Sequence, residues 1–160
     1  MTLLFTVVTS DSYVLEGCVL NSFNLEDYNM VEPTRVLVID DDEAILYASK
    51  IALESSGYIV TTAMNGKEGL ALITSDSEKF DIIVTDYKMP EMNGLEFLNE
   101  VRLSDNPKIY NIPAIVRSAE ESIKGKCNEL GATFMLKPGE AYELEKTVED
   151  VLTEQHESGP

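Results

Sequence analysis

Three aspartates stand where short aliphatic runs end, and acids in such places can do phosphoryl chemistry. Asp40 and Asp41 follow the run RVLVI, and Asp86 follows DIIVT. Clustered carboxylates repel one another and raise each other's pKa unless a positive charge lies between them. Mg²⁺ meets that need, because it is bound by a few carboxylates together with waters and a phosphate. We therefore expect a metal-assisted site at which a carboxylate accepts a phosphoryl group.

A lysine and a serine follow two further aliphatic runs. Lys137 precedes Pro138, and from a strand end it can reach Asp86 as a mobile charge, which a cis Lys137–Pro138 bond would help to aim. Ser118 can offer its hydroxyl to a phosphoryl oxygen on the same acid. Taken singly, these residues have ordinary alternatives: a surface lysine beside a turn, a helix N-cap with Glu121 three residues on, or acids in loops and caps. Their shared position at strand ends favours the site.

The elements that must position these residues alternate along the chain from Arg35 onward. Aliphatic runs predict strands at 35–40, 58–63, 81–85, 112–116 and 132–136. Helical spacing predicts helices at 43–56, 66–74, 95–101, 120–130 and 141–152, with Gly57 and Gly131 as C-caps. This pattern is typical of an α/β fold with a doubly wound, five-stranded parallel sheet. We expect the flavodoxin-like (βα)5 strand order 2-1-3-4-5, with the site where the order reverses, at the ends of strands one and three.

Composition excludes several classes of function. Twelve Lys and Arg against 29 Asp and Glu give a formal charge of −17, which disfavours direct binding to nucleic acid. No stretch reaches the roughly 20 apolar residues that span a bilayer, and the apolar start lacks the positive flank of a signal peptide. We expect a cytoplasmic protein. Cys18 and Cys127 are predicted to be reduced thiols, and the single histidine, His156, excludes a His-rich metal site.

The two ends of the chain do not fit the alternating pattern. Residues 1–33 are predicted to form an N-terminal extension, either poorly ordered or a short extra element with Thr6–Val8 as an edge strand. A second hypothesis takes Met30 as the natural start. The polar segment TEQHESGP after Leu152 predicts that the last helix ends there and that residues 155–160 form a disordered tail. No output domain is expected after it.

Four segments together resemble the response-regulator receiver family over about residues 34–154. They are VLVIDDDEAIL, DIIVTDYKMPEMNGLEFL, IPAIVRSAEES and GATFMLKP. In this order and at these spacings they are highly specific, whereas any one alone would be weak. The resemblance implies a receiver domain over 34–154, acting as a single-domain response regulator in a two-component system or phosphorelay, and not as a classical enzyme.

The resemblance assigns the acceptor and the metal ligands. The phosphoacceptor falls on Asp86, and the acidic pair falls on Asp40 and Asp41. Asp41 and Asp86 would bind Mg²⁺ directly, together with the main-chain carbonyl of Lys88, and Asp40 would bind it through a water. Mn²⁺ is an expected substitute for Mg²⁺.

The resemblance also assigns the switch and the partners. Ser118 is the switch hydroxyl, Phe134 the switch aromatic and Lys137 the essential lysine. From the sequence pattern alone, Phe134 is a core residue. The implied phosphoryl donor is a histidine kinase or a histidine phosphotransfer domain. Phosphorylation is expected to shift Ser118 and Phe134 inward and to remodel the face made by the fourth helix, the fifth strand and the fifth helix. This face would contact a downstream protein. The protein itself would be a monomer or a phosphorylation-dependent dimer.

Three departures from the family pattern carry expectations of their own. Gly139 stands where an aromatic is usual, which would loosen the start of the last helix. Arg117 replaces an aliphatic residue before the switch position, so it must extend to solvent or find an acid if strand four is buried. Lys88 and Glu120 flank the phosphoryl position with opposite charges. We expect them to pair across its mouth, hinder the attacking water and prolong the phosphorylated form.

Other classes of protein fit this sequence less well. A haloacid-dehalogenase-type phosphatase needs a second aspartate two residues after its nucleophile, where this chain has Lys88. A flavodoxin-like cofactor binder needs a Ser/Thr/Gly-rich phosphate loop, and the acids at 40–42 would repel that phosphate. The stronger rival is a receiver used only as a docking module. Loss of the acidic pair, Lys137 or Asp86 would indicate that role, and all of them are present.

Overall fold

The computed structural model describes residues 14–15, 18–19, 32–75, 80–139 and 141–157. The chain divides into two compact units, Met1–Glu32 and Pro33–Pro160. In the first unit, two short strands at Val14–Leu15 and Cys18–Val19 pair antiparallel. The hypotheses on Thr6–Val8, on Met30 as a start and on residues 158–160 lie outside the described residues.

The second unit contains one parallel sheet of five strands. They are β1 (Arg35–Ile39), β2 (Ile59–Ala63), β3 (Ile82–Asp86), β4 (Ala114–Ser118) and β5 (Ala132–Leu136). Their order is β2-β1-β3-β4-β5, and every neighbouring pair is parallel. The doubly wound, flavodoxin-like fold with strand order 2-1-3-4-5 is confirmed. The order reverses between β1 and β3, so a crevice forms at their carboxyl ends.

Helices follow each strand and cover both faces of the sheet. The five that do so are α1 (Glu43–Ser55), α2 (Gly66–Ser75), α3 (Gly94–Arg102), α4 (Lys124–Glu129) and α5 (Ala141–Glu157). A 3-10 turn at Glu121–Ile123 leads into α4, as is common at helix N-termini. None of the helices in the described ranges combines the length and apolar character needed to cross a membrane.

Strand β1 shows why the strands are apolar along their length and do not alternate polar with apolar residues. Val36 and Val38 pack into a core cluster on one face of the sheet, and Leu37 and Ile39 pack into another on the opposite face. All four are at most 1% exposed. Each fully buried aliphatic side chain contributes about 1.5–3 kcal/mol. The sheet is therefore a rigid platform for the residues at its carboxyl edge.

The position of strand four and the end of the last helix were predicted wrongly, and one helical turn was missed. Strand four was predicted at 112–116 but is Ala114–Ser118, because Ile112 is buried in the preceding turn and the polar Arg117 and Ser118 hid the strand's end. The single turn Pro107–Tyr110, capped by Asn106, was missed. Helix α5 continues to Glu157, past Leu152 and into the segment predicted to be a disordered tail. Residues 153–155 are exposed on this helix, so their polarity reflects a helix surface in water and not the absence of a helix.

Candidate functional site

The end of β1 delivers two aspartates with different surroundings. Asp40 is 2% exposed, and its Oδ1 accepts the backbone N–H of Asp42 at 3.1 Å. Asp41 is exposed. Asp42 is the N-cap of α1, where its carboxylate accepts the N–H groups of Ala44 and Ile45. The triple aspartate thus divides into one buried acid, one solvent-facing acid and one helix cap.

The end of β3 presents Asp86 to the same crevice. It is 7% exposed, and its Oδ2 accepts the backbone N–H of Lys88 at 2.7 Å. The chain then turns back tightly, with the N–H of Gly94 donating to the carbonyl of Tyr87 at 3.0 Å. A Cβ on Gly94 would lie 2.2 Å from the carbonyl oxygen of Asp86, so only glycine fits here. The loop holds the Asp86 backbone by close packing.

Lys137 bridges the two buried acids. Its Nζ forms an ion pair with Asp86 Oδ1 and lies 2.9 Å from Asp40 Oδ2. The backbone N–H of Lys137 donates to the carbonyl of Ser118 at 2.8 Å, which fixes the lysine beside the end of β4. The Lys137–Pro138 bond is cis. One ammonium therefore serves two carboxylates from two different strands.

The electrostatics of Asp86 follow from this arrangement. Burial raises the pKa of its carboxyl group, and the nearby charge of Asp40 raises it further. Lys137 and the N–H of Lys88 oppose the rise but do not cancel it. A raised folded-state pKa means that the ionised form of Asp86 is less well compensated in the protein than in water. The pocket favours additional positive charge.

The atoms available at the site are of the type that a hard cation such as Mg²⁺ prefers. Asp40, Asp41, Asp86 and the carbonyl of Lys88 offer only oxygen, and the ionised Asp86 is incompletely neutralised by Lys137. Within the described residues, no three His, Cys, Asp or Glu side chains are gathered closely enough to hold a metal ion. The predicted convergence of three carboxylates is thus wrong for these side-chain positions, since Asp40 and Asp86 turn to Lys137 while Asp41 faces solvent. Mg²⁺ needs only one or two carboxylates beside its waters and a phosphate.

Ser118 and Phe134 lie on the neighbouring strands. Ser118 is 3% exposed, and its Oγ accepts the backbone N–H of Glu120 at 3.0 Å. The N-cap of the following 3-10 turn is Glu120, so the alternative of Ser118 as N-cap with Glu121 is wrong. Phe134 is partly buried and packs against the core cluster that contains Leu37 and Ile39. No hydrogen bond between Ser118 and Asp86 is present in this part of the chain.

Lys88 and Glu120 are ion-paired at the mouth of the crevice. The pairing was predicted from their opposite charges, and it raises the pKa of Lys88. Their side chains are 72% and 41% exposed, so solvent screening makes the pair a minor contributor to stability. Its effect on the lifetime of a phosphoryl group stays a prediction.

Arg117 satisfies neither of the two expectations for it. It is 8% exposed, and it has no ion pair within the described residues. Its one hydrogen bond there runs from a terminal guanidinium nitrogen to Ser49 Oγ at 3.3 Å, and its Nε has no partner. Burial lowers the pKa of Arg117, although the charges of Asp40 and Asp86 oppose this. Position 117 lies on β4, which is paired on both sides by β3 and β5, so a side chain of any type is buried there.

Sequence reasoning missed two features of the site. It placed Lys137 against Asp86 alone, whereas the buried Asp40 shares the ammonium. It assigned a role to the carbonyl of Lys88 but not to its N–H, which holds Asp86. The contact of the Lys88 N–H with Asp86 could have been predicted, because aspartate side chains in tight turns accept the N–H two residues on.

A family model described as a response regulator receiver domain matches residues 36–149 of this chain. Among curated proteins, the chain is 34% identical over 127 residues to the alkaline phosphatase synthesis transcriptional regulatory protein PhoP of Bacillus subtilis, covering 79% of this chain and 51% of that protein. It is 34% identical over 115 residues to response regulator MprA of Mycolicibacterium vanbaalenii, covering 70% and 47%. The chain spans about half the length of these two relatives.

Relatives of similar length also match. The two-component response regulator ORR11 of Oryza sativa is 33% identical over 123 residues, which covers 75% of this chain and 82% of that protein. Among solved structures, chemotaxis protein CheY4 of Vibrio cholerae superposes with a TM-score of 0.68 at 32% identity, covering 75% of this chain and 99% of that one. A CheY-like receiver domain protein of Methanospirillum hungatei gives 0.70 at 30% identity, covering 80% and 100%.

Proposed function

Because this chain belongs to the response regulator receiver domain family, we propose that it is a phosphorylation switch whose acceptor is Asp86. Receiver domains of two-component systems accept phosphoryl groups as a general property of the family. One observation carries the assignment to this residue. Asp86 is the buried acid at the carboxyl end of the central strand β3, at the reversal of strand order, and it is ion-paired with Lys137. The protein is thus a phosphoacceptor and not a classical enzyme.

The proposed transfer uses a phosphohistidine donor on a histidine kinase or a histidine phosphotransfer domain. A carboxylate oxygen of Asp86 attacks the phosphorus, the P–N bond breaks, and the leaving imidazole nitrogen takes a proton from solvent. Lys137 stays beside the reacting oxygens and offsets their negative charge, and the N–H of Lys88 orients the other carboxylate oxygen. The product is an acyl phosphate on Asp86.

Receiver domains are generally Mg²⁺-dependent. Here Asp41, Asp86 and the main-chain carbonyl of Lys88 would hold the ion directly, and Asp40 would hold it through a water, with Mn²⁺ as a substitute. The ion would supply neutralisation of charge on the transferring group. The oxygen-only donor set and the incompletely compensated charge of Asp86 support this assignment.

The proposed output is protein–protein contact through the surface of α4, β5 and α5. Two large apolar side chains are exposed there, Leu136 at 48% and Tyr142 at 69%. Ser118 and Phe134 are the hydroxyl and the aromatic that would move inward on phosphorylation and transmit the change from Asp86 to this surface. The chain's strong negative charge favours a downstream protein and not nucleic acid as the direct target.

Intact-mass analysis after treatment with phosphoramidate tests the proposal. We expect an adduct of one phosphoryl group in the presence of Mg²⁺, and none when EDTA is added. A folded protein that gives no adduct with Mg²⁺ from either phosphoramidate or a phosphohistidine donor would contradict it. That result would favour a docking module that works without phosphorylation.

Asp41→Asn is expected to remove most of the Mg²⁺ affinity without altering the fold. Asp41 is exposed, so its replacement costs no packing, but it removes a charged oxygen ligand. Mg²⁺ should raise the melting temperature of the wild type by mass action, and the concentration needed should increase at least about tenfold in the variant.

Asp42→Asn is the matched control for this substitution. It makes the same charge change one residue away, and asparagine preserves the cap of α1. Equal Mg²⁺ responses in the two variants would show that Asp41 is not a specific ligand.

Lys88→Ala is expected to shorten the life of the phosphorylated form. Without Lys88, Glu120 loses its partner and the approach of water to the phosphoryl group opens. The increase in dephosphorylation rate should be at most about fivefold, because solvent screens an exposed ion pair. The rate can be followed by loss of the phosphoryl mass after the donor is removed.

The remote pair Lys50–Glu54 on α1 supplies the control. Lys50→Ala also breaks an exposed ion pair and should leave the rate unchanged. An unchanged rate in Lys88→Ala would refute the shielding hypothesis.

A further inference from the structure

A pocket beside the acidic crevice, with Lys137 in the wall of both, lies between α1, the end of β4 and the segment that follows β5. Its volume is about 570 Å³. Most of the wall is apolar and comes from Ala44, Ile45, Ala48, Ala119, Pro138 and Leu144. The polar groups on the wall belong to Ser49, Arg117 and Lys137. An apolar cavity of this size with a few polar groups is the usual form of a small-molecule site.

Arg117 is the unusual component of this wall. More than nine-tenths of its surface is buried, and its Nε has no hydrogen-bond partner. Its contact with Ser49 Oγ, at 3.3 Å, is long for a charged donor. Lys137 directs its ammonium to Asp40 and Asp86, so it is already compensated. Within the described residues, this buried guanidinium forms no ion pair, although the charges of Asp40 and Asp86 act on it, and its unpaired Nε is costly in a buried charged group.

We propose that this pocket binds a small amphipathic carboxylate, with the carboxylate on Arg117 and the apolar body against α1 and Leu144. A guanidinium presents paired N–H donors that match the two oxygens of a carboxylate. Inorganic phosphate would satisfy the charge but would leave the apolar walls in water. An acidic side chain of another protein brings one or two methylene groups, which is too little to cover walls of this extent.

Titration with benzoate, followed by two-dimensional NMR of the ¹⁵N-labelled protein without Mg²⁺ or phosphoryl donor, tests the site. We expect saturable shifts of the backbone amides of Ala44, Ala48 and Ala119 and of the Arg117 side-chain N–H, with a Kd on the order of 1 mM for a ligand of this size. The neutral isostere benzamide should bind at least about tenfold more weakly, because it lacks the charge-assisted hydrogen bonds. Acetate and inorganic phosphate should also bind more weakly, because they lack an apolar body.

Two substitutions locate the binding. Arg117→Met removes the charge but keeps an apolar stem, and it should weaken benzoate binding at least about tenfold. Arg35→Met, at the opposite end of the sheet, removes an arginine of the same type and should change nothing. The comparison of benzoate with benzamide needs no variant, so it holds even if a substituted protein fails to fold.

The proposal is overturned if benzoate produces no saturable shifts, if benzamide or acetate binds as tightly, or if Arg117→Met leaves the affinity unchanged. None of these measurements depends on Asp86, so their failure is distinguishable from failure of the phosphorylation switch.

Discussion

Asp86→Asn is expected to abolish phosphorylation by phosphoramidate completely while the protein stays folded. The amide is close in size to the carboxylate, but it is not a nucleophile and cannot form an acyl phosphate. Intact-mass analysis in the presence of Mg²⁺ should show the phosphoryl adduct in the wild type and only the unmodified mass in the variant. The exposed Asp105 provides the control, since Asp105→Asn changes the same charge away from the site and should leave the adduct intact.

The same variant also tests the electrostatic description of the pocket. Since burial raises the folded-state pKa of Asp86, its ionised form opposes folding at neutral pH. Asp86→Asn should therefore be at least as stable as the wild type at pH 7, with the difference shrinking as pH falls through the raised pKa. A variant that still acquires the adduct would move the acceptor to another residue. A variant that loses stability at neutral pH would contradict the assigned direction of the pKa shift.

Lys137→Met is expected to cost about 2 to 3 kcal/mol of unfolding free energy at neutral pH. It removes the ammonium that pairs with both Asp40 and Asp86, whose side chains are 3% and 9% exposed, and leaves two buried carboxylates facing each other. Methionine keeps most of the apolar stem, so the loss reports charge and not packing. Chemical denaturation followed by circular dichroism measures the difference.

The dependence of this loss on pH has a defined sign. Without Lys137, the folded-state pKa of Asp86 rises further above its unfolded value, because the main opposing charge is gone. A carboxyl group with a raised folded-state pKa stabilises the protein at low pH, and that contribution is lost as pH rises through the folded-state value. The deficit should therefore be full at neutral pH and shrink as pH falls through the raised folded-state pKa of Asp86.

Two further variants make the interpretation specific. Adding Asp40→Asn to Lys137→Met should recover part of the loss, since one unpaired carboxylate is then neutral. The exposed Lys124 offers a lysine away from the acids, and Lys124→Met should have little effect on stability. If the loss in Lys137→Met is independent of pH, or if Asp40→Asn deepens it, the bridging role of Lys137 is refuted.

The meeting of Asp86 with Lys137 could be predicted because it depends on strand order alone. Parallel strands bring their carboxyl ends to one edge, so an acid after β3 and a lysine after β5 are placed in the same crevice by the alternation of strands and helices. The close approach of Gly94 to Asp86 is also implicit in the sequence, since Asn93-Gly94 is typical of a tight turn before a helix.

The division of labour among the three consecutive aspartates could not be predicted in the same way. Which acid is buried, which faces solvent and which caps α1 depends on the direction in which the chain leaves β1. The position of strand four was also missed, since Arg117 and Ser118 look like loop residues until β3 and β5 are placed on both sides of them.

The sequence by itself determined the fold, the edge of the sheet at which the chemistry lies and the residue types that gather there. These follow from hydrophobic periodicity and strand alternation, which are properties of the chain read in order. Only the tertiary structure decided that Lys137 is shared by Asp40 and Asp86, and that Arg117 is buried beside an apolar pocket with its Nε unpaired. Those facts depend on distances between side chains from α1, β3, β4 and the segment after β5. Such distances are set by packing of elements far apart in the chain, and no local pattern encodes them.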